Sequence, residues 1–359
     1  MNKGKRSNSS FKIGIAFAMS LAAGLVLLSA FLYLVGLSQI VETIRTVNLQ
    51  LMLVAFLLDM AGLVLYGTCW YALLRAAGLD TRFRTCISIA LAGIFTCYIT
   101  PSGFFMDASR VLLASKESNI RLGDGAATVI LHKIMFTLGF VTFGLLALGM
   151  LFISRGLSLA LAMNILGISA LVVLGTLAMA LFIVKADHLG QRMPNLIDRM
   201  KSLLDKIARK YHPAILSSIS GVTNDFRKTF LKVVRSPKAI LTSYALALSY
   251  WTTSVLIMYV VFMALGYDIS IWAIVLTISI GDFIQMTPIA IPGMLGVIEV
   301  VTTTVLVMFG VPLSVAASAT LLARIATFWF DLPVTGMAAS YYGAKYVIKL
   351  ASSASRTVK

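Results

Sequence analysis

Two acids and two bases sit at matching places in an otherwise apolar chain: Asp107 and Lys133, then Glu299 and Arg324. Each acid follows a break in a hydrophobic stretch. One break is Thr100-Pro101-Ser102-Gly103; the other runs from Thr287-Pro288 to Pro292-Gly293. A charge at the centre of a membrane helix costs about 2.5–3.5 kcal/mol on insertion scales, so such residues face a cavity or a partner. Hydrocarbon offers the freed backbone groups of a broken helix no hydrogen-bond partners. Two interruptions at corresponding positions in two halves of one chain therefore point to a central polar site.

The chemistry expected of that site is anion binding. Helical legs beginning near Gly103 and Gly293 would turn free N–H groups and positive dipole ends toward the bilayer centre. That geometry binds phosphate or carboxylate, and Arg110, Lys133 and Arg324 would add full positive charge. Asp107 and Arg110 are three apart, share a helix face and are expected to pair. Glu299 and Arg324 are the second expected pair, and both pairs are also consistent with a purely structural role. Asp282 is a further ionisable candidate in an apolar stretch, and Asp59 and Asp331 lie nearer expected helix ends or on faces the sequence does not define. Tyr98 and Gln285, just before the breaks, fit cavity lining and packing equally. His132 reads as a hydrogen-bonded helix neighbour. There is no nucleophile–base motif, phosphate loop or HExxH, so an enzyme is not expected, nor is a cofactor.

These residues need elements to position them. The 359 residues are 59% hydrophobic and only 12% charged, against the quarter typical of soluble domains, which implies a polytopic membrane protein. Cys69, Cys86 and Cys97 show no metal or disulfide spacing and read as small core residues. Apolar stretches fall near 13–37, 49–74, 86–115, 125–153, 157–184, 239–266, 269–310 and 314–344. The first exceeds the roughly 7–15-residue core of a cleavable signal and is expected to remain as a span.

The positive-inside rule orients them. Lys3, Lys5, Arg6 and Lys12 place the N-terminus in the cytoplasm, and Lys345, Lys349, Arg356 and Lys359 do the same for the C-terminus. Arg75, Arg82 and Arg84 mark an inner loop. The segment 186–238 carries eleven Lys/Arg against four acids and is also inside. Crossing parity then makes 86–115 and 269–310 re-entrant hairpins entering from opposite sides. The expected fold is all-α and integral to the membrane: six full transmembrane helices plus two re-entrant hairpins, as inverted repeats 49–153 and 239–344 within a domain 1–345, followed by a cytoplasmic tail 346–359. Gly103 to Lys133 is 30 positions and Gly293 to Arg324 is 31, in keeping with duplication. In the connector, Leu196, Met200, Leu203 and Ile207, then Ile219, Val222, Phe226 and Phe230, recur at helical spacing. They read as basic amphipathic helices on the inner leaflet. Much of the net charge of +16 is thereby assigned to anionic headgroups, and no nucleic acid is expected.

At these motifs the chain resembles the flippase-like membrane domain of the lysylphosphatidylglycerol synthase transmembrane-region family, over roughly 45–345. The stronger signature is Pro292-Gly293-Met294-Leu295-Gly296-Val297-Ile298-Glu299, then Gly310-Val311-Pro312, then Leu322-Ala323-Arg324 and Thr327-Phe328-Trp329. Thr100-Pro101-Ser102-Gly103, Asp107 and Arg110 are similar to the family's first pattern. The chain has Phe105-Met106-Asp107-Ala108 where the family often has Gly-Gly-Glu-Pro, and His132-Lys133 where it often has Glu-Arg. The resemblance implies a prokaryotic cell-membrane flippase whose cargo is an aminoacylated, anionic or polyisoprenyl-phosphate-linked lipid. Only a short segment follows 345, so lipid synthesis is not implied. The expected translocation residues are Thr100, Pro101, Gly103, Asp107, Arg110, Lys133, Pro288, Pro292, Gly293, Gly296, Glu299 and Arg324. Two other readings stand beside this one. One is an accessory that docks a lipid-modifying enzyme or glycosyltransferase at the cytoplasmic face through 186–238. The other is an ion-coupled small-solute carrier.

Overall fold

The computed structural model describes residues 3–100, 103–155, 167, 214–286 and 291–357, with no strand among them. In chain order the helices are α1 (Lys3–Val35), α2 (Leu37–Arg45), α3 (Leu49–Ala77), α4 (Phe83–Ile99), α5 (Gly103–Ser118), α6 (Leu122–Arg155), α7 (Ala214–Val234), α8 (Pro237–Ala264), α9 (Ile271–Met286), α10 (Val297–Met308), α11 (Leu313–Arg324) and α12 (Phe330–Thr357). A 3-10 turn, Pro292–Met294, precedes α10, and a π turn, Ile325–Trp329, joins α11 to α12. Among the described residues, five stretches are long and apolar enough to cross a membrane: Ala18–Val35, Leu49–Ala77, Leu122–Ile153, Pro237–Ala264 and Leu313–Tyr346. The chain is thus a multi-pass membrane protein. The span expected at 157–184 lies outside the described residues apart from Gly167.

Local chemistry sets the helix ends. Asn48 starts α3 by accepting the N–H groups of Gln50 and Leu51 at 3.0 and 3.3 Å, a side-chain cap for donors that have no intrahelical acceptor. Ser236 caps α8, and Pro237 occupies the first turn, where its missing N–H costs nothing. The stretch 86–115 divides into α4 and α5 at Thr100, with φ −114° and ψ 152°. Ile291, before Pro292, has φ −116° and ψ 121°. Both are the extended geometry to which a residue before proline is restricted, so each break follows directly from its proline. The helices flanking the breaks are short. α4 has 17 residues, α9 16 and α10 12, which is about 25, 24 and 18 Å of helix.

Packing joins the two halves. The most extensive helix contact is between α3 and α8, one from each half. A Cβ at Gly62 would stand 3.0 Å from Thr253 Oγ1, so a missing side chain brings the backbones together where no hydrophobic effect assists. Trp251 on α8 is buried and donates its indole N–H to Phe136 O of α6 at 3.0 Å.

α7 is amphipathic, as the spacing of Ile219, Val222, Phe226 and Phe230 predicts. Phe226, Phe230 and Val233 are buried in the main core, while Val222 is 37% exposed. Arg121–Asp225 at 3.0 Å and Lys232 Nζ donating to Ala77 O at 2.7 Å fix the helix against α6 and the end of α3. The first predicted amphipathic segment, 196–207, lies outside the described residues.

Candidate functional site

The second break builds the tighter structure. Gly293 (φ 57°) and Gly296 (φ 81°) take left-handed conformations that disfavour any Cβ. The turn they form lets the backbone double back before α10. Glu299, 1% exposed, accepts the N–H of Gly296 on Oε2 at 2.8 Å. Its other oxygen, Oε1, accepts from Arg324 Nε at 2.9 Å. Arg324 Nη2 also donates to Gly293 O at 2.8 Å, and its guanidinium lies 4.3 Å from the Phe328 ring centroid. The expected Glu299–Arg324 pair is therefore present. The expected open N-terminus is not. The leg starts at Val297, not Gly293, and its first turn is capped by the chain's own carboxylate, which occupies the place an external anion would take.

The first break is arranged differently, and the expected Asp107–Arg110 pair does not form. Asp107 Oδ2 accepts from Lys133 Nζ at 2.8 Å, with the lysine side chain half exposed. Arg110, 1% exposed, turns the other way. Its Nη1 donates to Tyr66 Oη at 3.1 Å, and its guanidinium stacks 4.3 Å from the Trp70 ring centroid. Nη1 also faces His132 Nδ1 at 3.4 Å, while His132 Nε2 is 3.0 Å from Tyr66 O. Arginine only donates, so Nδ1 accepts and Nε2 carries the proton given to the carbonyl. His132 is thus the hydrogen-bonded helix neighbour its sequence context suggested. Two residues three apart on one helix share a face, but here α6 offers Asp107 a lysine and α3 offers Arg110 an aromatic box. A Cβ at Gly103, which opens α5, would meet nothing within 4 Å among the described residues. Pro101 and Pro288 lie outside the described residues.

A cavity of about 190 Å³ opens between α3, the end of α4, α8, α9, α10 and the helix running from α11 into α12. Asp59, Tyr98, Tyr250, Asp282, Gln285, Thr327, Asp331 and Arg324 line it. Of the three bases expected to converge, only Arg324 reaches it, and Glu299 already offsets that charge. The cavity is therefore acidic on balance, against the cationic chamber expected from the sequence. Asp59 (8% exposed) and Asp331 (4% exposed) are buried neighbours in the cavity wall. Tyr98 Oη donates to Asp331 Oδ2 at 2.9 Å. Gln285 Nε2 donates to Asp282 Oδ1 at 3.2 Å. The sequence flagged the three aspartates without placing their faces. Spacing held part of the answer: Arg324, Thr327, Phe328 and Asp331 fall at i, i+3, i+4 and i+7, one helical stripe. Among the described residues no group of His, Cys, Asp and Glu is arranged to hold a metal ion.

A model of the lysylphosphatidylglycerol synthase transmembrane region matches residues 13–334. The chain belongs to that family. The matched range runs from α1 into α12 and takes in both acid–base pairs and every cavity residue named above. Curated relatives include archaeal proteins described as UPF0104 membrane proteins. One from Methanothermobacter thermautotrophicus is 23% identical over 334 residues, covering 93% of this chain and 97% of the relative. One from Pyrococcus horikoshii is 23% identical over 317 residues, covering 88% and 93%. One from Archaeoglobus fulgidus is 28% identical over 267 residues, covering 72% and 76%. The family's transmembrane region thus accounts for nearly the whole chain.

Proposed function

We propose that this protein is a lipid flippase of the cell membrane, with both termini cytoplasmic, that moves a polar-headgroup lipid between leaflets. The observation that carries the reading is the polar cavity enclosed by apolar helices beside a proline-glycine break. A headgroup cannot cross hydrocarbon unaided because its polar groups lose their hydrogen bonds. A mid-membrane cavity supplies partners for the head while the acyl or isoprenoid chains stay in lipid. Within this reading 86–115 and 269–310 are re-entrant hairpins and the halves form an inverted repeat. Helices too short for a ~30 Å core, extended residues before Pro101 and Pro292, and an acid–base pair following each break support it. The carboxylates lining the cavity favour the aminoacylated class of headgroup, whose ammonium they can pair.

The accessory reading is less well supported. Phe226 and Phe230 of α7 are used in internal packing and do not form a docking face for an enzyme. Reconstitution decides the matter. Vesicles containing the protein should move a fluorescent aminoacylated, anionic or polyisoprenyl-phosphate lipid between leaflets faster than empty vesicles. Asp282→Asn, Glu299→Gln and Arg324→Ala, each confirmed folded, should reduce that rate. Equal rates with and without protein across all three lipid classes would sink the proposal, and solute uptake driven by an ion gradient in the same vesicles would favour a carrier instead.

A further inference from the structure

The geometry points to Asp59 and Asp331 as a proton-binding pair that exchanges with the cavity. Two carboxylates carry only acceptors, so a hydrogen bond between them requires a proton on one. Asp59 Oδ2 and Asp331 Oδ1 are buried and have no donor among the described residues, and neither residue makes an ion pair among them. The Tyr98 hydroxyl satisfies only Asp331 Oδ2. Arg324, the one base among the described residues that line the cavity, is bonded to Glu299 and to Gly293 O. Two full negative charges in contact at this depth would each raise the cost of the other, the situation in which paired carboxyls share one proton.

The groups facing the pair come from every surrounding element. Tyr98 is on α4, Tyr250 on α8, Asp282 on α9 and Arg324 at the end of α11. The two tyrosines are neutral donors, and Asp282 adds a third carboxyl group to the same cavity. The pair also spans the halves of the molecule, since Asp59 is on α3 and Asp331 on α12. A proton between them joins the halves. Its release to cavity water leaves two like charges in contact and pushes the halves apart. If the lipid-flippase reading holds, this step couples a proton gradient to the cargo's movement.

Infrared difference spectroscopy on the full chain in liposomes reads the site without reference to lipid transport. Lowering the pH should produce a protonated-carboxyl band that is weakened in D59N and in D331N and retained in Tyr98→Phe, which removes one donor only. A hydrophobic carbodiimide, which attacks protonated carboxyls in apolar surroundings, should modify Asp59 or Asp331 of the unaltered protein in acid and not in alkali. This second measurement needs no variant to fold. A wild-type protein with neither a titrating band nor labelling overturns the proposal, and so does a band that appears only on removal of sodium. The coupling is read separately. An imposed gradient of one pH unit should shift the leaflet distribution of the cargo by up to about tenfold for one proton per cycle, and D331N should abolish the shift. A titrating pair without lipid movement keeps the proton site and removes the flippase reading. Lipid movement with no titrating carboxyl does the reverse.

Discussion

Glu299 and Arg324 are joined by a 2.9 Å Nε–Oε1 hydrogen bond that ties the first turn of α10 to the last turn of α11. The other carboxylate oxygen holds Gly296 N–H at 2.8 Å, and the guanidinium holds Gly293 O at 2.8 Å. The pair therefore pins both ends of the proline-glycine turn. Removing one partner leaves a buried charge without its counterion, which costs about 3–5 kcal/mol. Arg324→Met and Glu299→Met should each lower Tm in detergent strongly. The double variant Glu299→Met/Arg324→Met should melt above either single one, because it leaves no orphaned charge.

The pair at the first break should behave otherwise. Lys133 is half exposed where it meets Asp107, and exposed ion pairs contribute about 0–1 kcal/mol. Lys133→Ala is expected to change stability by less than about 1 kcal/mol in the same melt. A loss comparable to that of Arg324→Met would show that the two pairs are equivalent after all.

Glycine substitutions separate conformational cost from steric cost. Gly296 has φ 81°, and a Cβ there would lie 2.5 Å from Leu27 Cβ and 2.8 Å from Leu28 N. Gly310 has φ 85° with nothing within 4 Å. Gly310→Ala should cost only the left-handed penalty of about 1–2 kcal/mol. Gly296→Ala should cost clearly more, because α1 must also shift, and thermal unfolding of the two variants side by side gives the comparison.

Arg110 is a buried cation with no carboxylate partner among the described residues, held by Tyr66 Oη and the Trp70 ring. A lysine keeps the charge but loses the planar group that stacks there. Arg110→Lys is therefore expected to lower Tm more than Arg110→Met, which removes the charge and fills similar space. The reverse order would mean that the guanidinium pairs with an anion in the membrane.

Accessibility tests the cavity itself. With Cys97 replaced and Cys69 and Cys86 buried, Thr327→Cys in the cavity should react with a small water-soluble thiol reagent in vesicles. Leu53→Cys, on an outward face that is 59% exposed, should react far more slowly because lipid covers it. Equal labelling at both positions would contradict an aqueous cavity within the bundle.

Hydropathy alone located the five long apolar helices seen among the described residues, since each is a run of apolar residues whose length the bilayer dictates. Pro101 and Pro292 located both breaks, because a proline restricts the residue before it wherever it occurs. The Glu299–Arg324 pair was also readable, because two opposite charges in apolar helices have few alternatives. Which side chain meets which depended on the packing of whole helices. Asp107 found Lys133 and Arg110 found Trp70 because α6 and α3 flank α5 on different sides, a relation that spacing within one helix does not encode. Asp59 and Asp331 stand 272 positions apart in the chain, on helices that meet only after both halves have folded. Their contact, and with it the acidic character of the cavity, arises from tertiary structure. Local sequence sets the period and ends of a helix through short-range sterics and hydrogen bonds, whereas the direction each face takes is set by the sum of its neighbours.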